Sequence, residues 1–417
     1  MFRFLHAADI HLDSPFKGLG RYENAPEEEM RNALRDALRS LVALAIEEQC
    51  AFLVIAGDLY DGTKKDIASA LFFSEQMKQL DEQGILVFIV YGNHDAETQL
   101  KNMRWPSNVR IFGSKKAETV ELEEIGAAIH GQSFGKRDEM RNLAAGYPEH
   151  IPGKINIGIL HTALEGHDDH EPYAPCSLDD LTNKGYDYWA LGHVHEFSIR
   201  CEDPFVVYPG NLQGRSVREI GEKGAVLVTV DDGILTIERH VLDAARWDSR
   251  EIDLSSVASL ADMDTKIQHV IEDVAVEADG RLAAVRLTLT GRTSLHSKLQ
   301  RDELDIADEI RVSVHGMGED VWIEKIKFET SPAYSVEEIG KRDDAVGDLV
   351  SRLADAKHDK ALVADLKADF AEVLKKLPSA AKANGSEIID LAKEESFDSL
   401  IEYASSYLIS QLAEVDR

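Results

Sequence analysis

Cysteines are few and apolar runs are short in this chain of 417 residues. The three cysteines, Cys50, Cys176 and Cys201, lie far apart with no CxxC pair, which argues against a disulfide scaffold or a thiolate zinc site. No aliphatic or aromatic run approaches the roughly 20 residues that a membrane helix needs. The opening MFRFLHAADIH places His6 and Asp9 where a signal peptide needs an unbroken apolar stretch. These absences predict a cytoplasmic protein that does not enter a membrane.

Positive charge is also scarce. The chain has 46 Lys and Arg against 76 Asp and Glu, a net charge of −30, so most of its surface repels a polyanion such as DNA. Metal ions or a partner protein would have to attract such a substrate. The sequence GQSFGKR at 131–137 has three residues between its glycines and ends on Arg137, whereas a P-loop needs four residues and Ser or Thr. Because no nucleotide-binding motif occurs, any ATP dependence must come from a partner.

The first part of the chain alternates apolar runs with helical patterns near 27–49 and 66–82. Four runs are apolar almost throughout, as strands buried on both faces are. They span 52–57, 85–90, 155–160 and 188–191. This order predicts an α/β sandwich over residues 1–242. Three later, closely spaced runs predict hairpins on a second sheet. They span 205–208, 225–230 and 234–241.

Two further regions are predicted after this sandwich. Residues 243–334 combine a helical pattern, the alternating strand VRLTLTGR, a second helical segment and a strand around WIEKIKFE, which predicts a small α+β domain. Residues 335–417 are predicted to be helical, because apolar residues recur there at helical spacing. One stripe consists of Leu362, Leu366, Phe370 and Leu374. It is expected to pack against a second stripe at 397–412 and, with the apolar surface left over, to dock a partner.

Polar side chains follow five predicted strands at the point where each strand ends. The sequences there are DIH, GDLYD, GNHD, LHT and GHVH. Their ligand-type residues are Asp9, His11, Asp58, Asn93, His94, His161, His193 and His195. Open α/β sheets gather ligands at the carboxyl ends of their strands. Turn chemistry or a buried, hydrogen-bonded histidine explains any single cluster equally well, but five together favour one site.

The chemistry of this set points to metal ions. Imidazole, carboxylate and amide oxygen without thiolate suit manganese, iron or zinc. The groups are too many for one ion and fit two ions that share a carboxylate. Two such ions can hold a phosphate, lower the pKa of a water between them and stabilise the leaving oxygen.

The five motifs resemble the signature motifs of the calcineurin-like metallophosphoesterases. The sequence is most similar to the double-strand-break-repair nuclease branch, the bacterial SbcD type. The stretches HTALEGHDDHEPYAPCSLDDL, GYDYWALGHVH and YPGNLQGR resemble the YhaO-like DNA repair exonucleases of bacteria. The motifs lie within 1–240, and beyond that the resemblance rests on domain order. It implies a two-sheet metallophosphoesterase sandwich flanked by helices, then a small α+β cap domain that shapes the DNA groove, and a helical C-terminal region.

The resemblance also implies a role for each residue of the motifs. One metal ion would be held by Asp9, His11, Asp58 and His195. The other would be held by Asp58, Asn93, His161 and His193, with Asp58 bridging. His94 would bind no metal and would stabilise or protonate the leaving group. Archaeal and eukaryotic relatives have a histidine where this chain has Asp61, so a role of that histidine in guiding DNA does not transfer.

The implied activity is that of a DNA exonuclease or endonuclease that hydrolyses phosphodiester bonds with a water activated by two divalent ions. Mn²⁺ is the favoured ion, with Fe or Zn as alternatives. The implied context is DNA repair with an SbcC-like coiled-coil ATPase docked on 335–417, and a homodimer through 66–82 is a further expectation. The motifs leave open a phosphatase or phosphodiesterase that acts on a non-DNA phosphoester. A scaffold with an inactive centre is disfavoured, because no ligand has been lost.

Two segments outside the five motifs carry polar residues of interest. Asn211 and Arg215, in PGNLQGR after a later strand, are either phosphate contacts or parts of a hairpin turn. The tetrapeptide HDDH at 167–170 has ligand-type residues in a polar loop. All ligand positions are filled without it, so it is expected to lie near the site at most.

Overall fold

The structure is a computed structural model in which fifteen strands and seven α-helices are described. The described residues are 1–14, 25–61, 66–97, 103–164, 173–318, 320–333, 341, 343–344, 347–348, 350–351 and 359–376. The strands are β1 (Phe2–Ala7), β2 (Phe52–Ala56), β3 (Leu86–Val90), β4 (Val109–Ile111), β5 (Glu118–Leu122), β6 (Ala127–Gly131), β7 (Ile155–His161), β8 (Tyr188–Gly192), β9 (Ser198–Glu202), β10 (Phe205–Tyr208), β11 (Gly224–Asp231), β12 (Ile234–Val241), β13 (Ala245–Asp253), β14 (Leu282–Thr293) and β15 (Val321–Pro332). The helices are α1 (Glu27–Glu47), α2 (Ile67–Glu82), α3 (Leu178–Thr182), α4 (Leu260–Ala278), α5 (His296–Arg301), α6 (Glu303–His315) and α7 (Lys360–Lys376).

The strands form two six-stranded sheets and one three-stranded sheet. The first sheet has the order β12-β11-β1-β2-β3-β4, the second β5-β6-β7-β8-β10-β9, and the third β13-β14-β15. The strands β1 to β4 run parallel to one another, as do β6, β7 and β8. In each large sheet the carboxyl ends of the central strands therefore lie at the same edge. This layout confirms the predicted two-sheet sandwich with a small α+β module after it.

The two large sheets pack face to face around an apolar core. Along β2, Phe52, Val54 and Ala56 lie in the core between the sheets, whereas Leu53 and Ile55 face the core beneath α1 and α2. A strand that is buried on both faces needs apolar residues at every position. This requirement explains the unbroken apolar run of β2.

The helix α2 divides its apolar residues between the core and the surface. Phe73, Met77 and Leu80 are fully buried in the core of the first sheet. Ile67 and Leu71 are 52% and 54% exposed. These two residues are open to another chain, and the homodimer through α2 stays a prediction.

The later strands are placed differently from the prediction. The strands β11 and β12 form a hairpin, but β11 pairs antiparallel with β1 in the first sheet. Only β10 joins the second sheet, where it runs parallel to β8. The prediction that these strands all form hairpins on a second sheet is therefore wrong. Period-two patterning identifies a strand and its buried face, but not the strand beside it.

The chain divides into two compact units. The first comprises Met1–Ser249, Val274–Val285 and Glu319–Glu324. The second comprises Arg250–Asp273, Arg286–Gly318 and Lys325–Arg417. The predicted boundaries after residues 242 and 334 stay predictions.

The C-terminal region is described mainly through α7. Its Leu362 and Leu366 are 42% and 40% exposed. The side chain of Leu374 and the stripe at 397–412 lie outside the described residues, so the predicted pairing of the two stripes stays a prediction. Among the residues that the structure describes, no helix combines the length and the apolar character needed to cross a membrane.

Candidate metal centre

The loops after β1 and β2 stay paired beyond the ends of these strands. The backbone N–H of Asp9 donates to the carbonyl of Gly57, and that of His11 donates to the carbonyl of Asp58, both at 3.0 Å. Asp9, His11 and Asp58 have φ values of 51°, 46° and 51°. This left-handed conformation costs a residue with a side chain about 1–3 kcal/mol. The tertiary structure thus holds three ligand-type residues in strained conformations.

The first group of ligand atoms is formed by Asp9, His11 and His195, whose atoms lie within 4.8 Å of one another. Both ring nitrogens of His11 are buried and make no hydrogen bond within the described part of the chain. Burial, and then the nearby Arg215 cation, lowers the pKa of His11 to about 4. The ring is therefore neutral, with a lone pair available to a metal ion.

The second group is formed by Asp9, Asp58 and His161. The Oδ2 atom of Asp58 lies 3.5 Å from His161 Nε2 and 3.9 Å from His11 Nε2. One carboxylate oxygen thus stands between two imidazoles that belong to different groups. This position suits a carboxylate that bridges two ions.

A hydrogen bond to the backbone fixes the orientation of the His161 ring. His161 Nδ1 donates to the carbonyl of Ala56 at 2.9 Å, so Nε2 carries the lone pair. That lone pair faces the Oδ1 atom of Asn93 at 3.0 Å. A metal ion held between these two atoms would bind both.

The predicted ligand His193 lies beside these groups. Its backbone N–H donates to both oxygens of Asp9 at 3.2 and 3.0 Å. Its ring meets that of His161 edge to face, with ring centroids 5.2 Å apart. The structure therefore places His193 next to the second group, and its role as a ligand stays a prediction.

Two glycines of the motifs leave room for the ligands. A Cβ atom at Gly57 would lie 2.4 Å from His161 Nδ1, and one at Gly92 would lie 2.3 Å from Asp58 Oδ1. Gly57 also has a φ of 95°, which residues with side chains rarely adopt. The glycines before Asp58 and Asn93 are thus steric requirements of the centre.

Asp95, the last residue of GNHD, holds two ligand loops together. Its carboxylate accepts the backbone N–H groups of Leu59, Tyr60 and Gly92 at 3.1, 2.9 and 3.2 Å. Burial, and then the charge of Asp58, raises its pKa. Asp95 therefore links the loop after β2 to the loop after β3 through hydrogen bonds to their backbones.

His94 lies at the open side of the centre and is paired with Asp61. Its Nδ1 atom is 2.9 Å from Asp61 Oδ1, and its ring is 27% exposed. Its backbone N–H donates to Asp58 Oδ1 at 2.9 Å. Burial opposes the charge of the ring, but the Asp61 carboxylate outweighs it and raises the pKa of His94 to about 9. His11, Asp61 and His94 also form a third group within 4.8 Å, so the role of His94 as a non-ligand stays a prediction.

Sequence reasoning missed Glu219, which binds both His195 and Arg215. Its Oε1 atom lies 2.8 Å from His195 Nδ1 and accepts from Arg215 Nη2 at 2.8 Å. Burial opposes ionisation, but these two partners lower the pKa of Glu219. Nothing in the local sequence VREIG distinguishes this glutamate from a surface residue.

The two candidate phosphate contacts differ in burial. Asn211 is fully buried, and its Nδ2 atom donates to the carbonyl of Gln213 at 2.8 Å and to Glu219 Oε2 at 3.0 Å. The Arg215 side chain is 16% exposed, and its Nη1 atom lies 3.7 Å from Asp61 Oδ1. Arg215 thus borders the open side of the centre, whereas the Asn211 amide nitrogen points into the protein. The HDDH loop at 167–170 lies outside the described residues.

The electrostatics of the centre favour added positive charge. Burial opposes ionisation of Asp9, yet neighbouring histidines, His195 foremost, lower its pKa. Burial also opposes the charge of His195, yet Asp9 and Glu219 raise its pKa to about 9. A divalent cation meets the same demand as these protons, and the neutral ring of His11 offers it one nitrogen ligand. The residues present therefore fit a metal centre.

Carboxylate, imidazole and amide side chains thus lie together at one edge of the two-sheet sandwich, and comparison with known proteins identifies the class as a metal-dependent phosphoesterase. The family model of calcineurin-like phosphoesterases matches residues 2–197, and the model of the middle domain of metallophosphoesterase YhaO matches 247–331. The chain is 35% identical over 295 residues to YhaO of Bacillus subtilis (strain 168), described as an uncharacterized metallophosphoesterase, with 69% of this chain and 71% of that protein covered. The chain therefore belongs to the calcineurin-like metallophosphoesterase family and is a hydrolase.

Two more distant similarities add to this comparison. The chain is 24% identical over 357 residues to the DNA double-strand break repair protein Mre11 of Methanopyrus kandleri, with 75% of this chain and 76% of that protein covered. A crystal structure of a dimetal phosphatase from Danio rerio superimposes on 57% of this chain and 95% of its own, at 11% identity and a TM-score of 0.37.

Replacing Asp58 with Asn is expected to abolish hydrolysis and weaken the binding of both ions, because one oxygen stands between the two groups. Calorimetric titration of the metal-free protein with Mn²⁺ measures both binding steps. His161→Ala is the matched variant and should weaken chiefly one step. Two unchanged binding steps in Asp58→Asn would show that this carboxylate does not bridge.

Proposed function

We propose that this phosphoesterase is a DNA nuclease that hydrolyses phosphodiester bonds in DNA repair. The observation that carries the proposal is the extent of the similarity to a DNA repair protein, which spans 357 residues and 75% of this chain. The catalytic family model ends at residue 197. A shared fold by itself does not imply a shared substrate. Similarity that continues through the regions after the catalytic part favours a substrate of the same class.

The proposed cofactor is a pair of divalent ions. The nitrogen and oxygen ligands suit manganese, iron or zinc, and the resemblance to the repair nucleases favours Mn²⁺ among them. The proposed ligands of the first ion are Asp9, His11, Asp58 and His195. Those of the second are Asp58, Asn93, His161 and His193. Bound there, the ions would lower the pKa of a water and neutralise phosphate charge.

His94 and Arg215 are the proposed contacts of the substrate. Asp61 occupies His94 Nδ1, which leaves Nε2–H to donate a proton to the leaving oxygen. The Arg215 guanidinium would bind a phosphate oxygen from the same side. These two cations offset, at the centre itself, the repulsion expected from a net charge of −30.

The same net charge favours a second candidate function. An acidic surface hinders a long polyanion far more than a small phosphoester, because repulsion accumulates along the polymer. A phosphatase or phosphodiesterase acting on a small molecule would use the same ligands and the same His94. The two candidates therefore differ only in the surface that surrounds the centre.

Hydrolysis of linear DNA compared with that of bis(p-nitrophenyl) phosphate tests the proposal directly. With Mn²⁺ we expect cleavage of DNA, and with EDTA none, because the ions supply the activated water. Asp58→Asn should be inactive on both substrates and exposes any contaminating nuclease. Rapid turnover of the small ester beside intact DNA would favour the second candidate.

The variant His94→Ala should keep both metal ions and still bind DNA. Its rate of hydrolysis should fall by about 10²- to 10⁴-fold, the usual effect of losing one acid or oxyanion donor. Calorimetry with Mn²⁺ and single-turnover rates separate the two effects. Loss of one metal-binding step would instead make His94 a ligand, as its place beside His11 and Asp61 allows.

The exposed leucines of α7 support a partner. Leu362 and Leu366 are 42% and 40% exposed, and we propose that they dock a coiled-coil ATPase of the SbcC type, as amphipathic helices dock in apolar grooves.

Deleting residues 340–417 should leave Mn²⁺-dependent cleavage of single-stranded or small substrates intact, because every proposed ligand lies between Asp9 and His195. The deletion should remove ATPase binding, measured by calorimetry, and ATP-stimulated cleavage. A truncated chain that unfolds, or that binds the ATPase with unchanged affinity, would contradict the proposal.

A further inference from the structure

Glu219 receives hydrogen bonds from three residues on two sides of the metal centre. Its Oε1 atom lies 2.8 Å from His195 Nδ1 and 2.8 Å from Arg215 Nη2. Its Oε2 atom accepts from Arg215 N at 2.7 Å, Arg215 Nε at 3.3 Å and Asn211 Nδ2 at 3.0 Å. One carboxylate thus contacts a proposed metal ligand and a proposed phosphate contact at once.

The protein buries this carboxylate and the groups around it. The side chains of Glu219, Arg215 and His195 are 11%, 16% and 23% exposed, and Asn211 is fully buried. Water therefore cannot easily replace a lost partner, and each hydrogen bond to the ionised carboxylate is strong. The geometry around Glu219 is consequently fixed.

Glu219 decides which nitrogen of His195 carries the proton. A carboxylate only accepts, so the Nδ1 atom that faces it must donate. An ion that displaces the other proton then finds the lone pair on Nε2, which lies 3.7 Å from Asp9 Oδ1 in the first ligand group. Lys223 Nζ holds the backbone of the same residue by donating to the His195 carbonyl at 3.0 Å.

Glu219 also decides where the Arg215 guanidinium lies. Nη2 and Nε both bind the glutamate, a two-point grip that fixes the plane of the guanidinium. Nη1 then lies 3.7 Å from Asp61 Oδ1, the oxygen that also meets His94 Nδ1 at 2.9 Å. The proposed phosphate contact is thereby held on the side of the centre where His94 lies.

We propose that Glu219 is a positioning residue that fixes one metal ligand and one phosphate-binding guanidinium in a single arrangement. Through His195 it sets the affinity of one ion, and through Arg215 it sets the affinity for the substrate phosphate. The second part rests on the proposed function, whereas the first concerns metal binding alone. A glutamate that only stabilised the fold would affect neither affinity in the folded protein.

Glu219→Gln distinguishes these roles, because it keeps the shape and replaces one acceptor with a donor. The amide oxygen is expected at the Oε2 position, where Arg215 and Asn211 donate, which turns the amide N–H group toward His195 Nδ1. His195 must then accept at Nδ1 and carry its proton on Nε2, where it cannot bind an ion. Loss of such a support typically costs 10- to 100-fold in metal affinity.

Titration calorimetry with Mn²⁺ on the metal-free full-length protein, together with kcat and KM on a phosphodiester, measures both parts. We expect Glu219→Gln to weaken one of two metal-binding steps by about 10- to 100-fold and to raise KM. Arg215→Met should raise KM without weakening either metal-binding step. Glu222→Gln, a change at a half-exposed neighbour outside the centre, should alter neither.

The result that would overturn the proposal is two unchanged metal-binding steps in folded Glu219→Gln. If that variant fails to fold, the double variant Glu219→Gln/Arg215→Met takes its place, because it leaves no buried guanidinium without its carboxylate. The same metal-binding step must then be weakened relative to Arg215→Met, and unchanged affinity again contradicts the proposal. If the wild-type chain hydrolyses no phosphodiester, the proposed function fails while the metal titration still tests Glu219.

Discussion

Buried negative charge at the edge of the sandwich is the constraint on which the rest of the centre depends. Asp9 and Asp58 are almost completely buried, and a buried carboxylate costs several kcal/mol unless it is paired. Backbone N–H groups meet part of this cost, since His193 donates to Asp9 and His94 donates to Asp58. Histidines and, in our proposal, metal ions compensate for the rest of the cost of burying these carboxylates. The strained loops bring these groups together, at a conformational cost that the gain in pairing offsets.

The sequence predicts those parts of the fold and centre that local patterns encode. The apolar run of β2 identifies a strand buried on both faces, and Asp58 follows it closely because a ligand there must stand at the end of the strand. The partner of each strand is not a local property. β11 lies beside β1, and nothing in its largely apolar sequence distinguishes β1 from a strand of the second sheet as its neighbour.

The residues that support the ligands were harder to predict than the ligands. Glu219 meets His195 across 24 positions of the chain, and its contacts exist only after both large sheets have formed. The sequence shows that Asp61 replaces a histidine of related sequences. Its pairing with His94 could not be predicted, because it depends on the approach of β2 and β3. Asn211 was predicted as a phosphate contact or as part of a hairpin turn, and its side chain is buried against Glu219 and Gln213. Tertiary contacts, which have no local signature, decide all three cases.

An acidic chain can still have a phosphate-binding centre, because charges act strongly only over short distances. His94 and Arg215 lie within 4 Å of Asp61, in a partly buried setting where charges interact strongly. The net charge of −30 is distributed over the whole surface. Salt screens the interactions of these exposed charges beyond about 8 Å. The centre can therefore hold one phosphate well while the surface gathers a long polyanion poorly. A DNA substrate would need attraction from outside the chain, which is why the nuclease function and the docking of a partner are coupled proposals.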